Sequence, residues 1–313
     1  MSVTVDSFLS RVERRISFPA NQATLSETNI LIMADDVMRE QLIPLILSVN
    51  QNYFVTTATQ ALTDAVDTYD IPYRSIGRTL RDMKLQNGSV TSVSNLVLYD
   101  LEDVHMFGST GAPAGFYFEG DKYVIVPSPN GSQYSTLLWY DLRPSEFVKL
   151  DECGKVASIA SDVVTVETLP AGLIAGTTID FVQGKSGSSI LSMDIDITSV
   201  SDPTITFATD AVPSTLVAGD YIAVAGKTPV IQIPEELIGL LTLWTGARIL
   251  YSISDYEGEA GLLKQAAMLE KNAKQILSPR IQGETRKVVN RNGLLRGKGF
   301  NSSRQTIRGG YYP

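Results

Sequence analysis

Helical periodicity appears only at the two ends of this chain, and everything between is cut into short runs by turn residues. Near the start, Phe8, Leu9, Val12 and Ile16 fall on one side of a helix over 6–16, with Asp6 or Ser7 as its cap. A longer helix begins near Ser26 or Thr28, with Leu31, Val37 or Met38, Leu42 and Leu45 at helical spacing. Pro44 sits inside that pattern, which predicts a kink or a restart one turn earlier, because proline lacks an N–H and crowds the preceding turn. Helix returns at Pro234, a residue suited to a first turn, with Leu237, Leu241, Trp244, Arg248 and Tyr251 in steps of three and four. After a break at 252–255, Leu262, Ala266, Leu269, Ala273 and Ile276 mark a last helix, its acids early and its lysines late, as the helix dipole favours. Ser278-Pro279 ends it.

The middle reads as strands. Tyr53 to Thr56, Arg81 to Leu85, Phe116 to Phe118, Tyr123 to Val126 and Leu137 to Leu142 are β-branched, aromatic or alternating. Asn87-Gly88 and Glu119-Gly120-Asp121 supply tight turns. From 150 to 229, six further short runs recur at roughly regular spacing, with no helix-length period among them. That pattern predicts a compact sandwich or barrel of its own. The expected fold class is therefore α+β. Residues 1–149 together with 230–279 are expected to form a helical bundle core carrying short strands and hairpins. Residues 150–229 are expected to be an inserted all-β domain, and 280–313 an extended arm.

Charge divides the 313-residue chain unevenly. The net charge is −8, yet residues 280–313 carry +7, from Arg280, Arg286, Lys287, Arg291, Arg296, Lys298, Arg304 and Arg308 against Glu284 alone. That leaves −15 on residues 1–279. Within them, 151–229 holds ten acids, three lysines and no arginine. A basic, glycine-containing segment on an acidic body reads either as a phosphate-binding tail or as an arm that orders against an acidic partner. Val288, Val289, Leu294, Leu295, Phe300 and Ile307 would anchor such an arm between its bases.

Catalytic patterns are wanting. Cys153 and His105 are each the only residue of their kind, which excludes a disulfide framework and any zinc site of several Cys or His ligands. Gly184-Lys185-Ser186 and Gly226-Lys227-Thr228 end like a Walker A loop, but positions 179 and 221 are Ile and Tyr where that loop needs glycine. Asp194 and Asp196 alternate and share a strand face with Asp180 nearby, a solvated face rather than a calcium or acid/base pair. Asp151 and Glu152 would raise the pKa of Cys153 rather than activate it. Trp139 and Trp244 are expected in the core. The chain is expected not to be an enzyme and to need no cofactor or metal. Residues 1–20 lack the pattern of a signal peptide, and Leu237 to Tyr251 is too short and too polar to span a bilayer, so a soluble intracellular protein is expected.

Six segments, in order and spacing, are similar to one family. They are IPLILSVNQNYFVTT (43–57), YDIPYRSIGRTLRDMKL (69–85), GFYFEGDKYVIVPSP (115–129), LWYDLRPSEFV (138–148), GDYIAVAGKTPVIQIPEEL (219–237) and LSPRIQGETRKVVNRNGLLRG (277–297). This set resembles the head-to-tail adaptor (connector, or neck) proteins of tailed bacteriophages. The resemblance covers most of the chain, more loosely over 150–218. It implies a structural virion protein, assembled in the host cytoplasm, that forms a ring of usually twelve subunits beneath the portal. The ring would extend the DNA channel, pass DNA without specific binding, and offer a docking surface to the next tail or nozzle protein. It implies no membrane partner. In that reading the eight bases of 280–313 dock on the portal or on a neighbouring subunit. The β insertion departs from smaller adaptors, and no role for it carries over. Other readings are a stopper or tail-tube protein, or a carbohydrate- or surface-binding protein acting through its β domain.

Overall fold

The computed structural model describes residues 3–16, 25–88, 93–100, 102, 110–184 and 190–278. Five α-helices lie among them: α1 (Val5–Ile16), α2 (Glu27–Val37), α3 (Ile43–Val49), α4 (Glu235–Ser252) and α5 (Tyr256–Leu277). Ser26 caps α2, its side chain accepting from the Asn29 N–H at 3.2 Å. Between α2 and α3 the chain widens into a π-helical turn, Met38–Leu42, and Pro44 falls in the first turn of α3. The wider turn gives the proline ring room where a regular turn would clash with it. Asp255 caps α5 by accepting from the Gly258 N–H at 3.0 Å.

α4 is apolar nearly all round and is buried on most sides by the other helices. Phe8, Val12, Ile30, Ala34, Ile46, Leu241 and Ile249 belong to one core cluster, which Phe147 and Ile231 also enter. The start of the chain is stitched to the segment that enters α4. The Val5 N–H donates to Pro229 O at 2.9 Å, and the Ile231 N–H to Val3 O at 3.1 Å.

The described residues of 1–149 and 230–279 do not form the expected helical bundle core. Strand and helix share the described residues about evenly, 35% and 32%. The strands expected as hairpins on a bundle instead build two four-stranded sheets. The first runs Val55–Ala61, Tyr134–Asp141, Asp82–Asn87, Val93–Asn95, antiparallel throughout. The second runs Thr68–Asp70, Lys122–Val126, Gly115–Glu119, Val97–Leu98, its last pair parallel. The physical reason lies in their apolar faces. Tyr134, Thr136, Leu138 and Tyr140 alternate inward, and Tyr123 to Val126 are all buried, so the strands bury one another. Leu62, Met83, Tyr123, Ile125 and Leu138 form a core separate from that of the helices. The same alternation turns Trp139 outward, where Lys84 Nζ lies 4.9 Å from its ring centre, so the expected core tryptophan is half-exposed.

From Gly154 to Val224 six strands close into an antiparallel barrel. Around it the order is Gly154–Ala160, Val163–Val166, Thr204–Phe207, Ile190–Ser201, Thr178–Val182, Tyr221–Val224, and back to the first. Closure leaves no free edge. Val164, Ile179, Phe181, Ile205 and Ile222 fill the interior completely shielded from solvent, and Phe181 meets Phe207 edge-on at 5.1 Å. Replacing Phe181 by Ala should lower stability by about 3–5 kcal/mol through the lost burial and the cavity left behind. Denaturant unfolding of the two proteins checks it.

Candidate functional site

The most concentrated polar chemistry lies where the turn Tyr73–Ser75 meets the barrel. Asp180 is fully buried on the strand Thr178–Val182. Arg74 reaches it with both guanidinium nitrogens, Nη1 to Oδ1 at 2.9 Å and Nη2 to Oδ2 at 2.7 Å, its own side chain 7% exposed. The Asp194 N–H donates to Asp180 Oδ1 at 3.1 Å, and the Gly226 N–H to Oδ2 at 3.0 Å. Arg74 Nη2 also donates to Ser145 Oγ at 2.9 Å. Burial opposes the charge on Arg74, but the hydrogen bonds and charge of Asp180, with Asp194 beyond, outweigh it and raise its pKa. Tyr73 donates to Asp194 Oδ1 at 2.5 Å, and burial together with this bond pushes its pKa up to about 12.

Both oxygens of Asp180 thus receive two donors each. A carboxylate so occupied has no lone pair left for a metal or a substrate proton. Asp194 and Asp196 are both exposed, alternating with the more buried Ile195 and Ile197, but Asp180 beside them is fully buried rather than solvated. A register shift between the strands Thr178–Val182 and Ile190–Ser201 puts Asp194 in the left-handed region, φ 57°, and turns it to Tyr73 and Arg74. Asp196 goes its own way to Thr178 Oγ1 at 2.8 Å. Among the described residues no group of three or more His, Cys, Asp or Glu could hold a metal ion. The cluster is a joint that fastens a turn of the sheet region to the barrel.

A second carboxyl is perturbed where α2 meets the short strand Glu146–Phe147. Asp35 accepts the Phe147 N–H at 3.1 and 3.3 Å. Burial raises its pKa to about 7, aided by Glu146 and Asp36 and opposed by the Phe147 hydrogen bond and Arg39. Arg39 itself pairs with Glu146 at 2.6 Å.

Cys153 is buried, and burial pushes its thiol up to about 12, so it stays a thiol. Gly226-Lys227-Thr228 lies at a turn into the strand Lys227–Thr228, with the Thr228 hydroxyl donating to Val230 O at 2.8 Å, a backbone tie rather than a phosphate cradle. Gly184 is described while Lys185 and Ser186 are not. His105 and the arm residues Arg280, Arg286, Lys287, Arg291, Arg296, Lys298, Arg304 and Arg308 lie outside the described residues.

What remains is surface. α5 runs 22 residues but buries only Leu262, Ala266 and Ala273. Tyr256, Leu263, Met268, Leu269 and Ile276 are exposed, as are Tyr251 and Ile253 at the end of α4. Trp244, expected in the core, packs half-buried against the helical core and also lines a groove with Tyr251, Leu263, Gln41 and Arg248. Arg248 is held across that groove by Glu40 and Asp36. Sequence reasoning marked Leu269 and Ile276 as inward positions. The helical period gives a face, but not how much of it a single neighbour can cover. No helix among the described residues is long and apolar enough to cross a membrane. No protein-family model matches the chain, and no curated protein does.

Two outcomes test these groups. Arg74→Ala should destabilise the fold by about 3–5 kcal/mol, because it strands a buried charge. The paired change Arg74→Met with Asp180→Leu should recover much of that loss in the same denaturant titration. For Asp35 the folded pKa lies above the ordinary value of 3.8. Its contribution is therefore complete below about pH 4 and is lost as pH rises through about 7. Relative to Asp35→Asn, the native protein should lose stability between pH 5 and pH 8, read from urea midpoints.

Proposed function

We propose that this chain is a head-to-tail adaptor of a tailed bacteriophage, a structural protein that docks as a ring on the portal and carries the channel towards the tail. The observation that carries this reading is the outer surface of α5. A 22-residue helix exposes Tyr256, Leu263, Met268, Leu269 and Ile276, and residues 280–313 with their +7 charge follow it directly in sequence. Large apolar side chains left exposed along one helix offer anchors for a protein contact. A segment of six arginines and two lysines that follows it in sequence suits carboxylates on a large partner, since the guanidinium pairs with them bidentately. The resemblance of the six ordered segments names the portal as that partner.

Twelve-fold symmetry, the virion neck as location, and a nozzle or tail protein below belong to the same proposal. So does passage of DNA without a grip on it, which the −15 charge of residues 1–279 favours by repelling phosphate. One arm would bind weakly because ordering it costs entropy, but arms on one ring act together, with a gain of about 10²–10⁴ over a single arm.

The test is docking of the full chain on purified portal rings, followed by sedimentation. Removing residues 280–313 should leave far-UV circular dichroism of the body unchanged and abolish co-sedimentation. Replacing Arg286, Lys287 and Arg291 by Glu should weaken docking in the same direction, most at low salt. Truncated protein that still docks, or particles in which this chain forms rings of other than twelve copies, would count against the adaptor.

A further inference from the structure

Unpaired strand edges are hazards that proteins guard with closure, shortness, charge or proline. The barrel has no edge. The edges of the second sheet are three and two residues long, Thr68–Asp70 and Val97–Leu98, the former carrying Asp70 and preceded by Asp67. The first sheet departs from this. Its edge strand Val55–Ala61 is seven residues of Val-Thr-Thr-Ala-Thr-Gln-Ala, without a charge or a proline. Among the described residues its only strand partner is Tyr134–Asp141.

The register tells which backbone groups stand free. The Leu142 N–H donates to Phe54 O at 2.8 Å, and the Leu62 N–H to Tyr134 O at 2.9 Å. Even-numbered residues of this strand therefore bond inward, and the N–H and C=O of Thr57 and Thr59 point to the open side. At the far edge of the same sheet lies Val93–Asn95, exposed and likewise uncharged. There the Gly88 N–H donates to Gln133 O at 2.9 Å, so Leu85 bonds towards Ser94, and the backbones of Val93 and Asn95 point outward.

We infer that Val55–Ala61 is an assembly edge that pairs antiparallel with Val93–Asn95 of a second copy of this chain. Three features choose that occupant. Four alternating strands place oppositely directed strands at the two edges, so a copy brought alongside continues the antiparallel order. Thr57 and Thr59 have the two-residue spacing of Asn95 and Val93, which matches four hydrogen bonds. Between them Ala58 would face Ser94. Ala58 stands in one row with Leu138, and Ser94 in one row with Leu85, both on the buried side of the sheet, so the two faces agree. Each copy leaves the other edge open, so the contact is head-to-tail and repeats into a ring or a filament. This inference rests on the sheet and not on the adaptor reading.

The test uses the full chain at high concentration, without portal, under mild copper oxidation. A non-hydrogen-bonded pair brings its Cα atoms to about 4.5 Å, within disulfide reach. Ala58→Cys with Ser94→Cys should therefore give a ladder of covalent oligomers on a non-reducing gel, and neither single variant should. Dimers from Ala58→Cys alone would mean two-fold pairing of Val55–Ala61 with itself and would overturn the choice of occupant. No linked product from the double variant would overturn the edge contact altogether. Thr57→Pro supplies a second reading. It removes an outward N–H and spares the inward ladder, so it should weaken self-association roughly tenfold by sedimentation, with the thermal midpoint little changed. Unaltered association would again sink the proposal. Linked ladders without portal docking would leave this contact standing and count against the adaptor alone.

Discussion

The buried pair Arg74–Asp180 is the constraint on which the arrangement of sheet and barrel turns. A charge taken out of water must find a partner inside, and a bidentate guanidinium–carboxylate pair with two further N–H donors satisfies every acceptor site of that carboxylate. Arg74 sits in the turn 73–75, whose backbone Arg74 O accepts from the Arg143 N–H at 2.8 Å. Its side chain also holds Ser145, which in turn donates its N–H to Gln232 Oε1 at 2.9 Å. One arginine thereby ties the segment leaving the sheets, the barrel wall, and the segment that leads towards α4. Such a pair adds little net stability over a well-packed apolar replacement, but it penalises any alternative docking of the barrel that leaves either charge alone.

Around that joint the described residues form three large cores rather than one, with two small clusters beside them. The helices close on α4, the two sheets close on Tyr123 and Leu138, and the barrel closes on Phe181. The strand Glu146–Phe147 links them, pairing in parallel with Lys227–Thr228 while its N–H at Phe147 is received by Asp35 of α2. That is why a carboxyl whose charge is costly there has been kept. It answers a backbone donor that the two-residue ladder leaves unpaired.

Much of this was legible in the residues. The strand runs of 150–229, the tight turn at Gly120 and the break before Pro44 follow from period and turn chemistry, which are local. The separate sheet core was not legible, because the pairing of Val55–Ala61 with Tyr134–Asp141 spans some eighty positions and nothing in either run names the other. Arg74 gave no signal at all. It is one arginine in a polar turn, and its partner lies 106 residues on, in a strand whose acids read as solvated. The even spacing of Asp194 and Asp196 does give an exposed acidic side, but it says nothing of Asp180, which the same reading left solvated and which Arg74 holds fully buried. The apolar surface of α5 was half legible, since its inward positions were marked correctly at Leu262, Ala266 and Ala273 and extended too far at Leu269 and Ile276.

The stitch between the first residues and the segment before α4 sets the order in which the chain can finish folding. Val3 and Val5 take their backbone partners from Ile231 and Pro229, and α1 rests on α4. During synthesis at about 5–20 residues per second, α1 is made and then waits on the order of ten to forty seconds for its support to emerge. Meanwhile the barrel, whose strands all lie between Gly154 and Val224, has everything it needs. α1 thus leaves the ribosome before the barrel yet closes after it, and through that interval its apolar side, with Phe8, Leu9 and Val12, is what a chaperone would meet.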